Sequence, residues 1–305
     1  MGKRVLITGI TGFLGSQIAE NLLNKGYQLI AIKREGSDLW RCKNFVSDVK
    51  WVNIIENWEE VIVGFSPEII VHSAWEGVTA LERDDFEKQF NNLSFLLKLL
   101  QIAKVSNTEK FIAFGSQAEY GHFSGIISED YEPNANTAYG MSKKFVSQTI
   151  KLFCEQNKID WFWLRLFSFF GEKEASNWFI PTLIKNVIEN KSMDMTPGEQ
   201  RYAYMYVKDL AENIYKIIDS QIMSGIYNVS SKKSISLKEI VEKITQILKV
   251  NRPLINFGAL PYRENQPMLI QGNIKKLENQ IGPLIETDFD FNLQKVVEYI
   301  VNKTN

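Results

Sequence analysis

The chain has 305 residues, 45% of them apolar and 23% charged, with a formal net charge of −1 at pH 7. That is an ordinary globular composition, and its interspersed lysines and acids leave no basic footprint for nucleic acid or an anionic membrane. No apolar run approaches the ~20 residues that span a bilayer and no cleavable signal pattern precedes the first strand, so the expected location is the cytoplasm.

The first strand is expected at Val5-Leu6-Ile7, and the stretch after it, TGITGFLG from Thr8 to Gly15, is the most informative in the chain. It runs into the helix-like SQIAENLLNKG. Gly9 permits a tight turn off the strand, Gly12 lets the backbone approach a pyrophosphate, and Gly15 lets the helix pack close to the sheet. N–H groups at the helix start and the positive end of its dipole then hold the phosphates. Thr11, Phe13 and Leu14 complete this expected dinucleotide loop.

YQLIAIKR, ending in Arg34, reads as the second strand, and PEIIVHSAW, introduced by Pro67, as another. FNNLSFLLKLLQIAK at 90–104 repeats apolar residues at helical spacing, and KFIAFGS at 110–116 and DWFWLRLF at 160–167 supply further strands. This alternation predicts a doubly wound parallel α/β sheet with helices on both faces. From Gly171 the pattern loosens around two amphipathic helices, FIPTLIKNVIENK and SLKEIVEKITQILK. VKDLAENIYKII and GIYNVSS, within 207–231, read as a helix and strand that return to the main sheet. The expected division is therefore 1–170 with 207–231 for the dinucleotide, and 171–206 with 232–305 for the substrate.

AYGMSKKF puts Tyr139 and Lys143 four residues apart, on one helix face. A nearby ammonium favours the phenolate and is expected to lower the tyrosine from its free value of about 10, fitting it for proton transfer at a carbonyl. Ser116, in FIAFGSQAEYG, falls at the carboxyl end of a strand, where open sheets hold their ligands. It reads as a catalytic hydroxyl, with a plain helix cap as the alternative. Cys42 and Cys154 lack CxxC spacing and read as buried free thiols. His72 and His122 are the only histidines, and no metal is expected.

The glycine loop, Ser116 and the Tyr139–Lys143 pair together resemble the extended short-chain dehydrogenase/reductase superfamily, the NAD-dependent epimerases and dehydratases of nucleotide sugars. The resemblance covers nearly the whole chain. PEIIVHSA resembles the family's fourth strand, Asn92-Leu93 the start of its next helix, RLFSFFG the strand leading to the sugar site, and YVKDLA the return helix. TPGEQ at 196–200 and INFGALPYRENQPMLIQGNIKKL at 255–277 are similar to bacterial reductases that make CDP-abequose, CDP-paratose or dTDP-fucose from a 4-keto-6-deoxyhexose.

The resemblance implies a Rossmann-type sheet with a smaller C-terminal α/β domain, and reduction of a C4 ketone by NADP(H). Tyr139 would protonate the oxyanion, Ser116 would hydrogen-bond the same oxygen, and Lys143 would bind the nicotinamide ribose and keep Tyr139 acidic. Arg34 stands where NAD-specific members carry an acid and suits the 2′-phosphate of NADP(H), with Lys33 as a rival. Ala74 joins the cofactor contacts. Trp75 would stack on the sugar, Gln117 would meet its hydroxyls, and Asn177, Arg201 and Arg263 would hold the diphosphate.

Dehydratases of the family follow the catalytic hydroxyl with an Asp-Glu pair, which here is Gln117-Ala118, and Glu119 should point elsewhere. Dehydration is therefore disfavoured. Tyr202-Ala203 replaces a common Arg-Asp or Trp-Asp pair, which points to altered base recognition. The alternatives are an epimerase with tightly held NAD and a non-enzymatic redox sensor; retention of both Tyr139 and Lys143 weighs against the sensor. The resemblance also implies a homodimer built on the helices near 92–104 and 139–154.

Overall fold

The computed structural model describes residues 2–55, 57–250 and 254–304. The first half of the chain runs β1 (Arg4–Thr8), α1 (Phe13–Asn24), β2 (Gln28–Lys33), β3 (Val49–Asn53), α2 (Trp58–Phe65), β4 (Ile69–His72), α3 (Phe86–Val105), β5 (Lys110–Ser116), β6 (Gly125–Ile127), α4 (Ala138–Asn157) and β7 (Asp160–Leu166). The second continues with β8 (Ser168–Phe170), α5 (Phe179–Ile188), β9 (Met193–Met195), β10 (Arg201–Tyr202), β11 (Tyr204–Tyr206), α6 (Val207–Asp219) and β12 (Gly225–Val229). It ends with β13 (Ile235–Ser236), α7 (Leu237–Ile247), β14 (Ile255–Phe257), β15 (Leu269–Gly272), α8 (Lys275–Ile281) and α9 (Phe289–Thr304).

Seven parallel strands form a Rossmann-type sheet in the order β3-β2-β1-β4-β5-β7-β12. The order reverses between β1 and β4, and the crevice beyond the carboxyl ends there is where such sheets hold ligands. Strands covered on both faces read as unbroken apolar runs. Val5 and Ile7 of β1 enter a core with Ile18 and Leu22 of α1 and Leu210 and Ile214 of α6, while Leu6 between them enters a second core with Leu96 and Leu99 of α3 and Val146 and Ile150 of α4. Fully burying one such side chain contributes about 1.5–3 kcal/mol.

A third core joins α5, α7 and α9 through Ile180, Leu183, Ile240, Ile244, Leu293 and Val296. Beside it lies a smaller sheet, β13-β10-β15-β6, whose edge strand β6 follows closely on β5 and so ties this part to the end of the main sheet.

The return of 207–231 is visible: β12 pairs with β7, and α6 packs on α1. Several elements had no counterpart in the sequence reading, among them β3, α2, β6 and α9. β3 is an edge strand with half-exposed Trp51 and exposed Lys50, and α2 is eight residues long, so neither carries a strong periodic signal. Cys42 and Cys154 are free and buried. Among the described residues no helix is long and apolar enough to cross a membrane, and no group of three or more His, Cys, Asp or Glu could hold a metal ion.

Candidate active site

The crevice is built from the turns after β1, β2, β4 and β5. Gly9 turns the chain off β1 at φ +69°, and a Cβ there would stand 2.6 Å from the Ala74 nitrogen, so only glycine allows the two loops to meet. A Cβ on Gly15 would fall 2.2 Å from the Gly9 carbonyl oxygen, which fixes how closely α1 approaches the turn. Gly12 caps α1 without a side-chain acceptor, leaving the first-turn N–H groups open to an anion. Phe13 stacks on Phe169 at 5.6 Å, Leu14 is buried, and the Thr11 carbonyl accepts from Arg41 Nη1 at 3.3 Å. The cradle fits a dinucleotide pyrophosphate.

The loop after β4 is pinned to β1, with Thr8 Oγ1 accepting from the Ala74 N–H at 3.2 Å and lying 2.8 Å from His72 Nδ1. Burial, with Lys143 nearby, depresses His72 to about 3, so its ring is neutral. Beyond Ala74 the loop is stitched by buried Gln89. Its Oε1 accepts from Trp75 Nε1 at 2.9 Å, and its Nε2 donates to the carbonyls of Gly77 at 2.6 Å and Glu82 at 3.1 Å. Arg34, exposed past the end of β2, pairs with Glu76 across this edge.

Ser116 ends β5 and caps the following 3₁₀ turn, accepting from the Ala118 N–H at 3.2 Å, while its hydroxyl also favours the ionised form of Tyr139. The capping reading is realised, and the same hydroxyl is the one the catalytic reading needs. Thr137 starts α4, accepting from the Gly140 N–H at 3.1 Å, and so delivers Tyr139 and Lys143 to the crevice from the first two turns.

One electrostatic expectation is corrected. Burial raises the Tyr139 pKa, and the positive charge opposing it is the Arg83 guanidinium, followed by the Ser116 hydrogen bond. Lys143 Nζ instead donates to the Phe114 carbonyl at 2.7 Å and lies 3.5 Å from the centre of the Trp75 ring. Burial, partly opposed by Glu119, brings that amine down to about 7. The lysine is therefore penalised for its own charge in the pocket where it was expected to stabilise another. Its ammonium also covers one face of Trp75, the ring expected to stack on a sugar.

Glu119 turns away from the crevice. Its carboxylate accepts from the Ser116 N–H at 2.8 Å, from Trp163 Nε1 at 3.0 and 3.1 Å, and from Arg165 Nε at 2.9 Å, all without solvent. This buried pair fixes the backbone of Ser116, yet no spacing rule announces it: Glu119 and Arg165 are 46 residues apart.

The substrate candidates divide. Gln117 is half-buried beside Ser116, and Asn177 is exposed on the loop into α5. Arg263 is exposed, with its charge near Tyr202, whose hydroxyl accepts from Gln266 at 3.1 Å. Arg201, expected to hold a diphosphate, is half-exposed and already engaged within the protein. Its Nη1 pairs with Glu239 at 2.9 Å and its Nη2 donates to the Ser234 carbonyl at 2.8 Å, because β10 pairs with β13 at the start of α7.

A model of the NAD dependent epimerase/dehydratase family matches residues 5–230. CDP-abequose synthase of Salmonella muenchen is 26% identical over 301 residues, covering 97% of this chain and 98% of that protein. dTDP-6-deoxy-L-talose 4-dehydrogenase (NAD(+)) of Aggregatibacter actinomycetemcomitans is 27% identical over 283 residues, covering 88% of this chain and 98% of that one. Among solved structures, UDP-glucose 4-epimerase of Thermotoga maritima with UDP-glucose has the same fold, with a TM-score of 0.88 at 17% identity over 99% of this chain and 100% of that chain.

Proposed function

The chain belongs to the NAD dependent epimerase/dehydratase family, enzymes of nucleotide sugars, and from that premise we propose that it reduces the 4-keto group of a dTDP- or CDP-linked 4-keto-6-deoxyhexose to the alcohol. The observation that carries this reading is the buried Tyr139 phenol, with the Ser116 hydroxyl at the end of β5 favouring its ionised form, and the only acid of the QAE segment turned into the core. A phenol there can give a proton to a carbonyl oxygen, and the segment offers no acid to expel water.

Bound NADPH would supply the hydride for the carbonyl carbon. The protein's part is to orient and to move a proton. Tyr139 gives its phenolic proton to the developing oxyanion, Ser116 holds the same oxygen, and Lys143 takes the nicotinamide ribose. Gly9, Thr11, Gly12, Phe13, Leu14, Gly15 and Ala74 form the dinucleotide cradle, within a unit of 1–170 and 207–231. Residues 171–206 and 232–305 hold the nucleotide sugar through Asn177 and Arg263, with Gln117 at its hydroxyls. Arg34 supports NADP(H), since a guanidinium suits a 2′-phosphate, which would displace Glu76. A homodimer fits the exposed Phe86, Phe90 and Leu97 on α3 beside Met141, Phe145 and Leu152 on α4.

One observation favours a second reading, an epimerase holding NAD: Glu76, already beside Arg34, could accept the ribose hydroxyls that NAD presents. NADPH oxidation by purified protein with dTDP- and CDP-linked 4-keto-6-deoxyglucose, beside NADH controls and with products identified by NMR, separates the two. The reductase consumes NADPH with one of the sugars. No oxidation, together with an altered sugar or NAD released on denaturation, selects the epimerase.

A further inference from the structure

Tyr139 is surrounded by groups from five parts of the chain. The Arg83 guanidinium, from the loop before α3, stands 5.1 Å from its ring centre, and Lys143 Nζ on α4 stands 5.7 Å away. Trp75, after β4, meets the ring edge-on at 6.3 Å. The Ser116 hydroxyl of β5 favours ionisation of the phenol, and the Glu119 carboxylate from the turn beyond opposes it.

The two cations are unequal. Burial brings the Lys143 amine down to about 7 and it is turned toward the Phe114 carbonyl and Trp75, so its charge depends on pH and on what else occupies the crevice. A guanidinium stays charged at every working pH.

The loop is built to keep Arg83 where it is. Its carbonyl accepts the Tyr139 N–H at 2.8 Å, Asp84 accepts the neighbouring Ala138 N–H at 3.1 Å, and Arg83 Nε donates to the Val78 carbonyl at 3.2 Å. The first two bonds also satisfy N–H groups at the open start of α4, so the strap that carries the arginine doubles as part of that helix's cap. Buried Gln89 braces the same loop from α3.

We propose that Arg83 is the permanent positive charge of this site, a positioning residue that holds the Tyr139 phenol against Ser116 and stabilises the phenolate formed when the proton is delivered. The inference rests on Tyr139 acting as the acid in the reduction described above. In that step the Tyr139 O–H bond breaks and an O–H bond forms at the C4 oxygen. The phenolate left facing Arg83 is reprotonated from water.

The test is a near-ultraviolet tyrosinate titration of the full chain, in which subtracting the Tyr139→Phe protein isolates the Tyr139 signal. It is repeated in Arg83→Gln and Arg83→Lys backgrounds. The midpoint moves to higher pH in Arg83→Gln and returns toward wild type in Arg83→Lys, which also serves if the glutamine variant folds poorly. In sugar reduction, kcat of Arg83→Gln falls on the order of tenfold, with KM nearly unchanged and its pH limb displaced in the same direction. A midpoint left in place by Arg83→Gln, or a raised KM with kcat and pH limb unchanged, overturns the proposal. The titration needs no sugar, so a displaced midpoint in a protein that reduces neither 4-keto sugar refutes the reductase reading and leaves the Arg83–Tyr139 coupling standing.

Discussion

The ammonium of Lys143 stands 3.5 Å from the centre of the Trp75 indole ring, so the two side chains expected to serve cofactor and sugar separately are engaged with each other. A cation over an aromatic face is held by the ring quadrupole at about 0.5–2 kcal/mol. Trp75→Leu removes that support and makes the charged form of Lys143 harder to keep. The pH–rate profile of this variant should therefore turn down at lower pH than that of the wild type, and superimposable profiles would show that the indole does not tune the lysine.

Tyr139→Phe removes the proton donor and leaves the packing of a nearly buried ring intact. It should fold, bind NADPH and lose about 10²- to 10⁴-fold in turnover. Dinucleotide binding by fluorescence and turnover by NADPH absorbance check the two halves, and normal turnover refutes the role.

Glu119→Gln keeps an acceptor for the Ser116 N–H but leaves Arg165 buried without its counter-charge. Breaking such a pair from one side costs about 3–5 kcal/mol. Urea unfolding should show that loss, and Arg165→Met added to Glu119→Gln should recover part of it in a double-mutant cycle.

Glu174 gives a pH signature. Burial lifts its carboxyl from the ordinary 4.5 to about 8, and its Oε2 is buried without a hydrogen-bond partner among the described residues. Between those values the unfolded chain has released the proton while the folded chain keeps it, so stability falls as pH rises through that window. Glu174→Gln removes the slope. Urea midpoints at about pH 5 and pH 8.5 should converge for the variant, its advantage at the higher pH being a few kcal/mol at most.

Phe90 and Phe145 meet at 6.3 Å on the outer face of α3 and α4, both exposed. Phe90→Asp places a charge in that face. Sedimentation velocity should show a dimer for the wild type and a monomer for the variant; a monomeric wild type removes the dimer from the proposal.

The sequence made legible what local chemistry specifies. KFIAFGS became β5 residue for residue, and the spacing of Gly9, Gly12 and Gly15 was readable because each close approach involves the turn itself or the next loop. What it concealed depends on distant pairs. Arg83 lies 56 residues before Tyr139 and no motif links them. The guanidinium chemistry of Arg201 was visible, whereas its partners within the fold, Glu239 and Ser234, were not. Spacing placed Lys143 on the face of Tyr139, but only the packed structure shows that its ammonium turns toward a carbonyl and an indole.

The late arrival of β12 has a consequence for how the protein is made. Until residue 229 has left the ribosome, β7 is an open edge strand with unpaired backbone, and the α1 surface that will meet α6 is bare. A nascent chain or fragment ending near 170 therefore exposes apolar surface and invites aggregation. Expression of the first half alone should give inclusion bodies, whereas a cut beyond the last strand of the main sheet leaves that sheet complete.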